Sequence, residues 1–254
     1  MTTAGEGWWA PARLADRRAA LRSRAEITRA FRDWFAEREF VEVETAILQV
    51  SPGNEVHLHA PRTEITDAEG RARVRYLRTS PEFACKKLLA AGEPRIYEFA
   101  RVFRDRERGP LHLLEFTMLE WYRANAPVGA VAEDCAGLIA RAAEIARTRR
   151  VEYRGRAADP LAEPERVTVA EAFDRHAGID LLATIEGGRG DREALAVAAR
   201  RAGLRVADDD TWSDIFSRVL VAKVEPKLGD GRMTILNEYP IVEAALARAV
   251  PGRP

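Results

Sequence analysis

An α+β fold, with an antiparallel sheet flanked by helices, agrees with two observations in the sequence. Residues 96–103 and 115–122 read as strands joined by a charged loop, which makes a long antiparallel hairpin. Apolar residues at helical spacing bracket that hairpin, at 14–38 and from Pro127 to about Arg149. The chain of 254 residues, 46% hydrophobic and 31% charged, is long enough and apolar enough for one large domain or two small ones.

The elements follow in order. Leu21, Ile27, Phe31, Trp34 and Phe35 give the first helix its apolar stripe. Residues 40–45 alternate apolar and acidic, as a half-buried strand does. Pro52, Gly53 and Asn54 mark a turn. Strands are predicted at 56–59 and 74–78, joined by a polar turn at 67–70. Ser80 can cap a helix that Pro81 and Glu82 begin and Gly92 ends. Beyond the hairpin, Val128, Val131, Cys135, Leu138 and Ile145 share one side of a helix. Thr168 caps a short helix ending at Gly178, and two more are predicted at 191–202 and 211–224. Residues 233–237 return to strand. The run Gly187-Gly188-Arg189-Gly190 follows no clear strand and lacks a Walker lysine, so it reads as a loop.

Charge and cysteine content narrow the class. Lys plus Arg and Asp plus Glu both number 40, so the chain lacks the basic excess of a dedicated nucleic-acid binder. The two cysteines, Cys85 and Cys135, have no CxxC partner and read as small core residues. The N-terminal segment has no apolar h-region, and no apolar run approaches the ~18 residues of a membrane span. The expectation is a cytoplasmic protein with no membrane contact. His57 and His59 share a strand face in this reading, but no third ligand is near, so a structural role is favoured and no metal site is assigned.

Strand 115–122 carries the chemistry. Alternation puts Thr117, Leu119 and Trp121 on a core face and Phe116, Met118, Glu120 and Tyr122 on the other. Phe116 suits stacking on a planar base, Glu120 suits an ammonium group, and Tyr122 suits a hydrogen bond to a substrate tip. A solvated sheet face with cross-strand pairs explains the strand alone equally well. The preceding loop adds Arg104 at a strand end, where a guanidinium beside Phe116 is placed to clamp an α-phosphate. By itself that loop also fits a salt-bridged, exposed run.

Together, RVFRDRERGPLHLLEFTMLEWY resembles motif 2 of class II aminoacyl-tRNA synthetases. FVEVETAILQ resembles motif 1, and LRTSPEFACKKLLAAG resembles the substrate-binding segment of the lysyl branch. The combination looks most like the lysyl ligases that modify elongation factor P, over roughly residues 14–248. The resemblance implies a single class II synthetase-like catalytic domain spanning 1–254, without an anticodon-binding domain or anticodon recognition, since motif 1 begins too early to leave room for one. It implies that Arg104 contacts the α-phosphate of ATP and the carboxylate being activated, that Phe116 stacks on adenine, and that Asp105, Arg106 and His112 belong to the ATP-binding loop. Ser80, Glu82, Glu120 and Tyr122 are implied as the amino-acid pocket, with Glu82 near the α-amino group. The implied reaction is ATP-dependent adenylation of lysine or β-lysine, followed by transfer to a lysine side chain of elongation factor P. A homodimer through motif 1 is implied as well. A lysyl-tRNA synthetase paralogue and a non-catalytic binding module remain the alternatives.

The chain departs from the family pattern at four points. Ala46 replaces the motif 1 proline, Arg106 stands where motif 2 has Glu, and Leu113-Leu114 replaces Asn-Pro. The fourth is the end at Pro254, before the strand whose acidic residues are implied to hold Mg²⁺ and before motif 3 with its second ATP-binding arginine. The expectation is a catalytic domain lacking its C-terminal strands, with little or no adenylation activity of its own.

Overall fold

The computed structural model describes residues 7, 9–53, 55, 57–244 and 246–250. The chain divides into two compact units, 1–145 and 146–254. Both are mixtures of helices and small sheets, which is the α+β class.

In the first unit α1 (Pro11–Ala36) buries only Ala30, Trp34 and Phe35. Its N-terminal two thirds is largely exposed, Leu21 of the expected stripe included. Strand β1 (Val41–Glu42) is shorter than the alternation at 40–45 suggests, because the chain leaves β5 soon after Val43 N–H bonds Tyr97 O. β2 (Leu48–Gln49), β3 (Arg62–Thr66) and β4 (Ala72–Leu77) form an antiparallel sheet in the order β2-β4-β3. Among the described residues, 57–59 do not form the predicted strand. Leu58 N–H closes a turn onto Glu55 O, while Asn54 and Val56 lie outside the described residues. Both edges of β4 are already taken, and His59 makes only an isolated antiparallel bridge to Asp105.

Helix α2 (Glu82–Ala90) precedes the hairpin of β5 (Arg95–Phe103) and β6 (Glu115–Arg123), which pairs in register from Arg95↔Arg123 to Phe103↔Glu115. β1 adds to β5 in parallel. Helix α3 (Val128–Ala146) follows. One face of the hairpin makes the core: Tyr97, Phe99, Leu119 and Trp121 pack with Trp34, Phe35, Phe40 and Leu138. Phe35 stacks on Tyr97 at 4.3 Å between ring centroids. A Cβ on Gly137 of α3 would sit 2.9 Å from the Trp34 ring, so a glycine is what lets these elements approach. The expected core face of 117–121 is therefore the observed one.

The second unit holds short strands β7 (Val151–Tyr153), β8 (Arg156–Asp159) and β9 (Glu165–Thr168), followed by α4 (Val169–Ala177). Thr168 caps α4 in a reciprocal box with Glu171, and Gly178 closes it in the left-handed region at φ 64°. The strands β10 (Ile185–Glu186) and β11 (Arg189–Gly190) pair across Gly187 and Gly188, both at positive φ; only these two glycines of the run read as a loop form the turn, because Arg189 and Gly190 pair back onto Glu186 and Ile185. Helices α5 (Arg192–Arg201) and α6 (Trp212–Val219) lead to β12 (Gly231–Arg232) and β13 (Thr234–Asn237), the latter parallel to β9. Phe173, Phe216 and Trp212 stack in sequence at 5.1 and 5.3 Å in the core of this unit.

Candidate active site

The other face of the β5–β6 hairpin carries the half-buried Phe116, Met118, Glu120 and Tyr122 of β6, opposite the buried Val102, Ala100, Glu98 and Ile96 of β5. At the loop end, the Arg104 guanidinium lies 5.5 Å from the Phe116 ring centroid, and its Nε–H points to Thr79 O at 3.4 Å. Both groups are on the same side of the sheet. They can therefore touch one planar, phosphorylated ligand together.

Four residues along β6, about 13 Å at a strand's rise, Glu120 is held by two hydroxyls. Ser80 Oγ donates to Glu120 Oε1 at 2.6 Å, and the Tyr122 hydroxyl donates to Glu120 Oε2. Burial, then the hydrogen bond to Glu120, holds the Tyr122 phenol well above its ordinary pKa, so it stays a donor. Ser80 Oγ also accepts Glu82 N–H at 3.0 Å, joining the pocket wall to the start of α2. The Glu82 carboxylate binds Lys86 Nζ one turn on, at 2.6 Å.

The remaining expected residues are more dispersed. Asp105 and Arg106 sit in the exposed loop; Asp105 N–H bonds His59 O at 2.7 Å, and Asp105 Oδ1 accepts Arg106 N–H. Arg106 is in the left-handed region, at φ 64°, which turns the chain there. His112 is exposed near the loop tip, where its N–H bonds Gly109 O at 3.2 Å. Ser80, Glu120 and Tyr122 are thus joined directly and Arg104 and Phe116 are side by side, whereas Asp105, Arg106 and His112 extend into solvent.

The β5 half of this face holds a buried network, centred on Glu98, that sequence reasoning missed. Arg78 and Glu98 form a 2.6 Å ion pair with side chains 3% and 4% exposed. Arg78 also donates to Thr45 Oγ1 at 2.6 Å, Thr45 O at 3.0 Å and Arg101 O at 2.9 Å, and Thr45 Oγ1 donates to Glu98 Oε2 at 2.7 Å. Cys85 completes it, 3.8 Å from Glu98; burial, with the carboxylates of Glu98 and Glu120 nearby, pushes this thiol up to about 12. A glutamate inside the apolar run of β5 was the available signal, since a charge there needs a buried partner.

The family described as tRNA synthetases class II (D, K and N) matches residues 8–220, and the chain belongs to it. It is 34% identical to the elongation factor P–(R)-beta-lysine ligase of Vibrio cholerae serotype O1, over 92% of this chain and 66% of that protein. The ligase of the same name from Pseudoalteromonas translucida is 32% identical, over 94% of this chain and 67% of that protein. The lysine–tRNA ligase of Pelotomaculum thermopropionicum is 36% identical, over 89% of this chain and 43% of that one. The chain thus spans about two thirds of the length of the first two relatives. Among the described residues, no helix is long and apolar enough to cross a membrane.

Proposed function

We propose that this chain carries the ATP- and amino-acid-binding part of a ligase that activates lysine or β-lysine as an adenylate and passes the acyl group to a lysine side chain of elongation factor P. The observation that supports it most is the pairing of the Arg104 guanidinium with the Phe116 ring on one sheet face, with the carboxylate of Glu120 further along the same strand.

In this reading a carboxylate oxygen of the amino acid attacks the α-phosphorus of ATP. The bond to the bridging oxygen breaks, and pyrophosphate leaves. The acceptor amine then attacks the acyl carbon and loses a proton as AMP departs. Arg104 holds the α-phosphate and the attacking carboxylate together, which offsets the repulsion of two anions. Phe116 stacks on adenine. Glu120 takes a substrate ammonium while Ser80 and Tyr122 fix its carboxylate, and Glu82 exchanges its Lys86 partner for the α-amino group. Asp105, Arg106 and His112 close over the phosphates. The gain is in positioning and charge stabilisation, without a covalent enzyme intermediate.

Class II synthetase-like ligases in general use Mg²⁺. The described residues hold no cluster of three or more His, Cys, Asp or Glu suited to a metal ion. A homodimer through residues 40–49 belongs to the same proposal.

Calorimetry with non-hydrolysable lysyl- and β-lysyl-adenylate analogues tests it. The expected result is saturable binding, weakened at least about tenfold by Phe116→Ala and by Arg104→Ala. Undiminished binding in both variants overturns the reading, and the stronger analogue identifies the amino acid.

A further inference from the structure

We infer that the buried Arg78–Glu98–Thr45 network is the positioning device of this site, setting the phosphate end and the ammonium end of the pocket from one tripeptide. The inference rests on the proposed ligand site.

The tripeptide is Arg78-Thr79-Ser80, and each residue reaches a different part of the pocket. Arg78 anchors it to β5 through Glu98 and Arg101 O, and to the segment after β1 through Thr45. Backbone bonds fix the same point: Arg78 N–H to Ile47 O at 3.0 Å, and Phe103 N–H to Arg78 O at 2.9 Å. Thr79 O then faces the Arg104 Nε–H, and Thr79 Oγ1 donates to Pro52 O at 3.1 Å. Ser80 Oγ reaches Glu120 at 2.6 Å. Arg104 and Glu120 are set at opposite ends of one ligand, and successive residues of this tripeptide hold both.

Stability alone does not account for the arrangement. A buried ion pair gives little net stabilisation over apolar residues of the same shape, because desolvation offsets the attraction. What it adds is direction. Arg78 directs four hydrogen bonds to three residues on two segments, β5 and the stretch after β1, so the peptide plane after it has little freedom. A displacement of about 1 Å in a positioning group is enough to cost ~100-fold in a reaction of this kind.

Thr45 is the mildest place to test this, since its hydroxyl both accepts from Arg78 and donates to Glu98. Thr45→Val keeps the shape and removes that link; Thr45→Ser restores it. Each variant is melted and titrated with the lysyl-adenylate analogue, with ATP alone and with lysine alone. The expected result for Thr45→Val is a folded protein whose affinity falls at least about tenfold for ATP and for lysine alike, with recovery in Thr45→Ser. If Thr45→Val does not fold, Glu98→Gln replaces it with the same expectation. Wild-type affinity for both ligands in a folded variant, with only the melting temperature lowered, overturns the positioning role and leaves the proposed function standing. Failure of the unaltered protein to bind any of the three overturns both.

Discussion

Glu98 and Glu120 stand directly opposite each other across the hairpin, yet their carboxylates have different partners. Glu98 is buried and neutralised by Arg78, while Glu120 is half-buried and held by the neutral hydroxyls of Ser80 and Tyr122. Like charges at directly paired strand positions are destabilising. Among the described residues Glu120 has no ion-pair partner, so in the proposed function it is the carboxylate left for a cationic ligand. Glu120→Gln is expected to melt within a few degrees of the unaltered protein and to lose at least about tenfold in affinity for a lysyl-adenylate analogue. A variant that binds as before removes Glu120 from the pocket.

Arg78 and Glu98 are expected to be strongly non-additive. Arg78→Met leaves the Glu98 carboxylate buried without its guanidinium, at a cost of about 3–5 kcal/mol, whereas replacing both residues by Met removes the charges together and recovers most of that loss. Urea denaturation of the two single variants and the double variant measures the difference. Additive losses would show that the pair is not coupled.

Gly190 needs to be glycine for packing in the second unit. A Cβ there would lie 2.4 Å from Cγ of Trp212, whose ring sits in the aromatic stack and whose Nε1–H donates to Thr184 Oγ1 at 3.2 Å. Gly190→Ala is expected to destabilise the protein by about 1–3 kcal/mol through overpacking, with no change in ATP affinity. A fall in ATP affinity without loss of stability would instead give the glycine-rich run a phosphate-binding role.

Acid should weaken the second unit through Asp210. Hydrogen bonds from the Arg218 guanidinium, and then from Ala207 N–H, hold this carboxyl at about 2, below its ordinary 3.8. The unfolded chain binds the proton more readily, so stability rises with pH across this interval. The contribution is complete above about pH 4 and is lost as pH falls towards 2. Asp210→Asn is expected to flatten that part of a melting-temperature profile, and an unchanged slope would contradict the assignment.

The hairpin and the helices around it were legible because they obey simple periods. Alternation along 115–122 separated the core face from the face carrying Phe116, Glu120 and Tyr122, and Thr168 and Gly178 marked their helix by capping chemistry. β3 was missed because Arg62-Thr63-Glu64-Ile65-Thr66 is too polar for an apolar pattern, and its partner β4 alone defines it. The Arg78 network was illegible for a different reason. It joins residues 33 and 20 positions apart, and no local period encodes such a contact. Arg104 beside Phe116 was inferred from the hairpin, since a loop that returns on itself brings its two ends together.

In the proposed function Arg104 and Phe116 hold one nucleotide between them. A crystal structure of the protein with a non-hydrolysable ATP analogue tests it directly. Adenine is expected to stack on the Phe116 ring, with an α-phosphate oxygen within hydrogen-bond reach of the Arg104 guanidinium. A nucleotide bound with its base away from Phe116, or with its α-phosphate out of reach of Arg104, would contradict it.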